Sequence, residues 1–427
     1  MAPKRKLTLA GSVSLGAGVM IGAGIFALVG QVAVLAGDWF PIAFLAGAIV
    51  AAVSSYSYIR YSSVNPSSGG IAMLLKDAYG PGVVAGSFSL FMYVSMVIAE
   101  SLLARTFGTY LLRPFDLQGS ALLVPILGVI AIAAAAVVNL IGTRLVEDSA
   151  MTTAILKIVG IAVLAIAGLV AAFSAGDGLF AETSGDPVDV LGVLGATTLC
   201  VLAFKGFTTI TNHGDDLRNP ERNIGRSIII SLLVCTVLYL LIVMSVNASI
   251  GARGAAGARD YALAQAAEPI FGAWGVGITV AVAVIATLSG LLASLFSVSR
   301  LYGMLQHMHL APRLPSRITH QPLLITSGLA ILVTAFFDLS QIASIGALLY
   351  LTMDIVVQGG VLVALQQKIN ARRWVPSLSI ALDLIILIPF TVLKVRSDLL
   401  TVLVALAIAT AIFAAQIIAV RARSTTR

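Results

Sequence analysis

Gly18-Val19-Met20-Ile21-Gly22-Ala23-Gly24-Ile25-Phe26 lies in the middle of an apolar stretch long enough to cross a bilayer. Glycine is costly inside a helix because it loses the most backbone freedom on folding. Two glycines around one alanine at this depth predict a helix that opens there. Opened backbone exposes N–H and C=O groups that lipid cannot satisfy. Such a break survives only where it faces protein or a watery cavity, and its freed groups can bind a small charged molecule. Discontinuous helices of this kind are a feature of secondary transporters.

The rest of the chain supports a membrane class. Its 427 residues are 59% hydrophobic and 11% charged, with a mean hydropathy of +1.02; an average soluble domain is about 25% charged. Apolar stretches recur to the end. They predict an all-α polytopic membrane protein with about twelve transmembrane spans, near 9–36, 39–61, 82–112, 121–141, 149–174, 190–213, 225–250, 274–303, 321–337, 339–365, 376–396 and 397–420. The net charge of +7 does not point to nucleic acid. With the N-terminus inside, eighteen Lys and Arg fall in cytoplasmic segments, from Lys4 to Arg427. Five fall outside: Arg113, Arg253, Arg259, Lys394 and Arg396. That bias predicts a multi-pass protein of the cell membrane with both termini cytoplasmic, its excess charge set by topology and attraction to anionic lipid.

Lys4-Arg5-Lys6 imitates the start of a signal peptide, but the apolar stretch after it runs past the 7–15 residues of a signal core, which predicts a retained first span. Cys200 and Cys235 both lie in apolar spans and suggest neither a disulfide framework nor a metal site. The four histidines fall in cytoplasmic segments. No phosphate-binding loop, zinc spacing or convergent catalytic set is present, so neither enzyme chemistry nor a cofactor is expected.

A second interruption, Phe204-Lys205-Gly206-Phe207, sits in the sixth span. Each interrupted span opens a group of five, and an odd number per group forces opposite membrane orientations. The chain thus reads as one transporter domain over 1–427, with a first repeat at 9–174, an inverted second repeat at 190–365, and two further helices at 376–420. Close helix packing accounts for Gly22 and Gly24 about as well as binding does. It does not account for a lysine beside Gly206.

Several motifs, taken in order, resemble the amino acid–polyamine–organocation (APC) superfamily. They are Gly18–Phe26; Pro66-Ser67-Ser68-Gly69-Gly70 with the amphipathic stretch to Tyr79-Gly80-Pro81; Asn139-Leu140-Ile141-Gly142 leading to Lys157; Phe204–Phe207 followed by Asp216-Leu217-Arg218-Asn219-Pro220-Glu221-Arg222-Asn223; and Ser299-Arg300 to Pro312. They run from about residue 9 to 365. The resemblance implies the leucine-transporter fold, a 5+5 inverted repeat plus two helices, and proton-coupled transport of amino acids. It places a substrate carboxylate on the N–H groups of Gly22, Ala23 and Gly24. The substrate ammonium would face the carbonyls of Met20 and Ile21 and those near Phe204, Lys205 and Gly206, with Phe204 as an aromatic lid. Relatives often carry that lid slightly earlier, where this chain has Val201 and Leu202. The resemblance also implies that the Lys157 ammonium replaces a bound cation, reaching the Gly18 carbonyl and Ser289. The alternatives are an amino-acid exchanger, or an inorganic-ion cotransporter or ion pathway on the same fold.

Glu100, Lys157, Lys205, Asp354 and Asp383 all fall at mid-span. Each costs roughly 2.5–3.5 kcal/mol at a lipid-facing helix centre, so pairing or function is the default reading. Glu100 and Lys205 depart from the superfamily pattern. They could pair with each other; alternatively Lys205 could face the pocket and select anionic substrates, or pair with Asp354. Asp383 lies outside the repeats and reads as structural.

The charge bias gives a direct test. Single cysteines in 177–189 should react with impermeant maleimide from outside, and those in 218–226 only from inside. The reverse pattern would invert the topology.

Overall fold

The computed structural model describes residues 6–67, 69–141, 144–175, 188–313, 315 and 319–424; most of the outer 177–189 loop and several of the counted charges, among them Lys4, Arg5, Arg317 and Arg427, lie outside these. Fifteen α-helices account for nearly all of it, and the described residues contain no β-strand. Ten helical stretches are long and apolar enough to cross a membrane, with two shorter apolar helices besides.

The first span is split into α1 (Leu9–Ala23) and α2 (Ile25–Ala36). The Thr8 hydroxyl caps α1 by accepting the Gly11 N–H at 3.2 Å. Gly37, at φ 53, ends α2 in a conformation open to glycine. A short turn then leads into α3 (Phe40–Val64), with Pro41 in its first turn, where no N–H is needed. The amphipathic stretch of the first inner loop forms α4 (Gly70–Tyr79), ended by Gly80 at φ 74. Next come α5 (Val83–Leu112), α6 (Leu123–Ile141) and α7 (Arg144–Ala175).

The sixth span is also split. Between α8 (Val190–Phe204) and the one-turn α9 (Thr208–Thr211), Lys205–Phe207 forms a tighter 3₁₀ turn. The chain continues through α10 (Pro220–Gly257), α11 (Ala262–His307), α12 (Gln321–Phe336), α13 (Leu339–Gly360), α14 (Trp374–Ser397) and α15 (Leu399–Ser424). Asp338 starts α13 with a reciprocal capping box to Gln341. Only Asp398 separates α14 from α15, in keeping with the short connection expected there.

The seventh and eighth spans depart from their expected bounds. Helix continues past both ends of 225–250 and 274–303, bending at Gly251 (φ 65) and Gly272 (φ 57). At 1.5 Å per residue the 46 residues of α11 run about 69 Å, more than twice the hydrocarbon thickness, so the segment before Gly272 lies outside the span. Arg253, Arg259 and Asp260 made this stretch look like a loop.

The packing is inverted relative to a water-soluble protein. Trp274, Phe336, Val363 and Ile418 are exposed, whereas Glu100, Lys157, Lys205, Asp354 and Asp383 are all buried. Polar contacts between elements hold each end of the first span. At one end, Leu7 pairs with the 216–218 backbone, donating to the Asp216 carbonyl at 2.8 Å and accepting from Arg218 at 2.9 Å. Arg300 on α11 donates to Asp216 and lies 5.8 Å over the Phe296 ring, on which His213 also stacks. At the other end, Gln31 donates to Asp260 at 2.7 Å and accepts from Arg259 at 2.9 Å.

Asp216 follows the sixth span, and Arg300 reaches it from the last turns of α11 to form a latch. Hydrogen bonding to His213 and Arg300 holds the Asp216 carboxyl well below the usual carboxylate range. Burial, then Arg300, lowers His213 against the opposing pull of Asp216. The signs agree. The neutral His213 is favoured above the ordinary histidine value, and the Asp216 charge above the ordinary carboxylate value, so the latch weakens as pH falls through both ranges. Asp216→Asn should therefore speed maleimide modification of a cysteine at Thr208 from the latch side of the membrane, and the speeding should be greatest at neutral pH. An unchanged rate would mean that these groups close nothing.

Candidate substrate site at the crossing of two interrupted spans

The two interruptions touch. A Cβ on Gly206 would come within 2.6 Å of Met20 Cγ and 2.7 Å of the Met20 nitrogen. Only a residue without a side chain lets the 3₁₀ turn lie on the first span at this distance. Tyr239 of α10 ties them together, donating to the Met20 carbonyl at 2.6 Å and lying 3.4 Å from the Ala203 carbonyl. Its ring packs on Phe204 at 5.0 Å and Phe44 at 6.1 Å.

The break in the first span is confined to Gly24 (φ −80, ψ −70). Its N–H still reaches the Met20 carbonyl at 2.8 Å, and its own carbonyl accepts from Leu28 at 3.1 Å. This is narrower than the open helix the glycines suggest. Packing accounts for both glycines in this conformation. A Cβ at Gly24 would strike the Tyr239 hydroxyl and the Met20 carbonyl, and one at Gly22 would meet the Ala286 carbonyl and Leu103 at 3.0 Å.

A cavity of about 30 Å³ opens beside the crossing, lined by Val19, Met20, Met96, Ala99, Leu202, Ala203, Lys205, Gly206, Thr208, Thr209 and Ser294. It has room for roughly one or two waters. An amino acid needs more, so substrate entry requires these walls to part. Of the residues expected at the site, Met20, Lys205 and Gly206 line this space. Ile21, Gly22 and Gly24 do not, and the side chain of Ala23 is outside the described ones. Phe204 does not either, because its ring is taken up against Tyr239; Leu202 occupies the lining position instead.

Lys205 is buried and donates to Ser95 on α5, with its ammonium 5.0 Å from the Tyr350 ring centroid. Glu100, fully buried, accepts from Ser294 at 3.4 Å through Oε1, and Oε2 has no partner. No ion pair joins Glu100 to Lys205 among the described residues. Helix geometry explains this. Ser95 and Glu100 are five apart, about 140° around α5, so a lysine turned to Ser95 is turned away from Glu100. Lys205 does not pair with Asp354 either. The Asp354 carboxyl accepts from Ser54 at 2.7 Å and from Tyr58.

Lys157 is 2% exposed and donates to the Gly18 carbonyl at 2.9 Å, as expected. Ser289 is not its partner; that hydroxyl turns back on its own helix, to Ile285 at 2.5 Å. Among the described residues no three His, Cys, Asp or Glu gather as metal ligands. Sequence reasoning missed Tyr239, Ser95 and Ser294. A tyrosine in the middle of an apolar span was the available signal for the first. The two serines are too common in packed helices to stand out.

Comparison with known proteins gives the family. The family model described as amino acid permease matches residues 7–426. The chain belongs to the amino acid permease family, within the APC superfamily. Among its relatives is the inner membrane transport protein YbaT of Escherichia coli, 29% identical over 359 residues and covering 81% of this chain and 80% of the relative. Another is the vacuolar cationic amino acid transporter 4 of Arabidopsis thaliana, 26% identical over 381 residues, 82% of this chain and 62% of that one. The solved manganese transporter of Eremococcus coleocola superposes with a TM-score of 0.62 at 12% identity, over 96% of this chain and 94% of that one. At that identity the likeness establishes the leucine-transporter type of fold for this permease and nothing about its cargo.

The contact between Gly206 and Met20 is testable. Gly206→Ala should lower the thermal stability of the permease in detergent by an overpacking cost of about 1–3 kcal/mol, or force the interruptions apart. A variant as stable as the parent, read by temperature-dependent size exclusion, would show that the contact is loose.

Proposed function

We propose that this permease carries amino acids across the membrane by alternating access, driven by protons, with the cavity at the crossing as the substrate site. The observation that carries the reading is the meeting of both interrupted spans at one small space, mostly apolar, into which Lys205, Thr208, Thr209 and Ser294 bring the polar groups. The 9–174 and 190–365 repeats would move against each other around it, with both termini cytoplasmic.

In this reading the first span opens at Gly24 when substrate enters. The N–H groups of Gly22, Ala23 and Gly24 then take the carboxylate, helped by the positive end of α2. The carbonyls of Met20 and Ile21 take the ammonium. Met20 now accepts from Gly24 and Tyr239, so the ammonium must displace those donors; this links substrate entry to release of Tyr239. Lys205 lines the same space and favours a substrate with a second negative group. Lys157, held on the Gly18 carbonyl, braces the first span while protonated, and losing its proton removes the charge that strengthens that hydrogen bond. Proton movement and the shape of the first span are linked in this way.

Purified permease in proteoliposomes loaded with unlabelled amino acid should take up the same amino acid, labelled, against its gradient. A channel would not do this. Acid outside should increase uptake, and Lys157→Ala should abolish that increase while exchange persists. Counterflow with no response to pH in the parent would make the protein an exchanger. No counterflow across a panel of amino acids would overturn the substrate class.

A further inference from the structure

Glu100 on α5 is fully buried and takes no part in the substrate contacts proposed for the first span. Its Oε1 has the Ser294 hydroxyl at 3.4 Å, and its Oε2 has no partner. Ser294 lines the cavity, as do Met96 and Ala99 of α5 itself. Met96, Glu100 and Leu103 follow one another at intervals of four and three, so they share one face of the helix. That face is turned to the first span and α11: a Cβ at Gly22 would lie 3.0 Å from Leu103, and one at Gly290 3.2 Å from it. Glu100 therefore stands in the cavity wall, one hydroxyl away from the space.

Among the described residues no cation reaches this carboxyl. Of the elements packed on α5, α1, α2, α6 and α12 carry no ionisable residue, and α15 has none before Arg421. On α11, Arg300 is given to Asp216, and Tyr302 packs on Tyr93 at 4.8 Å. On α13, Tyr350 faces Lys205, and Asp354 accepts from Ser54 and Tyr58. On α4, Lys76 and Asp77 are exposed, and Tyr79 donates to the Val356 carbonyl at 2.7 Å. Lys205 donates to Ser95 and Lys157 to the Gly18 carbonyl. On α5 itself, Tyr93 is bonded to Thr326 at 3.1 Å, Arg105 donates to the Thr334 carbonyl at 2.8 Å, and Tyr110 to the Phe26 carbonyl at 3.3 Å. Arg113, just beyond α5, pairs with Asp116 and Glu268. An ionised carboxylate in a dry interior needs a cation or several donors around it; where it has neither, the acid keeps its proton.

We infer that Glu100 holds a proton beside the substrate cavity, and that this proton admits a substrate with a second negative group, such as an acidic amino acid. The inference deepens the role given to Lys205 and rests on the cavity being the substrate site. When the walls part and water enters, Glu100 can give its proton to that water. Closing the walls over an anionic substrate then requires a proton back. With Glu100 neutral, the side-chain carboxylate of the substrate meets the Lys205 ammonium unopposed. With Glu100 ionised, it meets a second carboxylate one hydroxyl away, and in a low-dielectric space the two repel. Anionic substrate and proton thus favour each other's binding, by the same factor in each direction. The proton cancels the second negative group, so the pair enters with no net charge.

Calorimetric binding to the purified full-length permease tests this, with L-aspartate and L-alanine as ligands between about pH 6 and 8, where the aspartate side chain stays ionised. Affinity for aspartate relative to alanine should fall as pH rises, by up to about tenfold per unit. Titration of Lys157 acts on both ligands alike, so the ratio isolates Glu100. Glu100→Gln keeps the shape and is permanently neutral; its ratio should no longer move with pH. In infrared spectra in lipid, an acid C=O stretch of the parent at neutral pH should be missing from this variant. A parent ratio that is flat with pH, or alanine binding with no aspartate binding at any pH, would overturn the inference without any variant. So would a Glu100→Gln ratio that follows pH as the parent's does, or an acid band that the variant leaves unchanged. If the parent binds neither ligand nor any other amino acid of a panel, the substrate reading fails, and the acid band alone decides whether the proton is there.

Discussion

Everything at the centre of this protein depends on two helices being interrupted at the same place. A continuous helix spends its backbone hydrogen bonds on itself, and lipid tolerates nothing else. Here the first span gives way at Gly24 and the sixth tightens into a 3₁₀ turn at Lys205–Phe207. Gly206 lies on the backbone at Met20, and the Tyr239 hydroxyl closes the junction from a third helix. A side chain at Gly206 would press on Met20, and loss of the Tyr239 hydroxyl would remove the hydrogen bond to the Met20 carbonyl. The cavity exists because these elements meet without filling the space between Met20, Lys205 and Ser294.

Buried charge is arranged around that junction with a partner of stated kind for nearly every group. Lys157 is satisfied by a carbonyl, Lys205 by a hydroxyl and an aromatic face, and Asp354 by three donors. None of them relies on an ion pair. That matters for a protein that must change shape, because a buried ion pair is costly to break and leaves a stranded charge. Carbonyl, hydroxyl and aromatic partners can be exchanged one at a time. Ion pairs instead occur toward the ends of the first span, at Asp216–Arg300 and Arg113–Glu268, where water can take over either partner.

Much of this was legible in the sequence. Apolar length and charge bias gave the spans, and glycines at mid-membrane depth gave both interruptions. Lys157 on Gly18 followed from the family resemblance. Other features were not legible, for physical reasons. Whether Gly22 and Gly24 face a ligand or a neighbouring helix depends on tertiary packing, and in this conformation Tyr239, Leu103 and Ala286 occupy that space. The expected Glu100–Lys205 pair failed because proximity in the fold does not fix which way a long side chain turns. Helix beyond the seventh and eighth spans was hidden because Gly251 and Gly272 break the apolar run while bending the helix.

The central claim is that the space at the crossing holds the substrate. The most direct measurement is protection of a cysteine placed at Thr209, a lining position, against alkylation in the purified protein. An amino acid that exchanges in proteoliposomes should slow the reaction, and the protection should saturate with its concentration. Transport of an amino acid that leaves this cysteine equally reactive at every concentration would contradict the claim and place the site elsewhere.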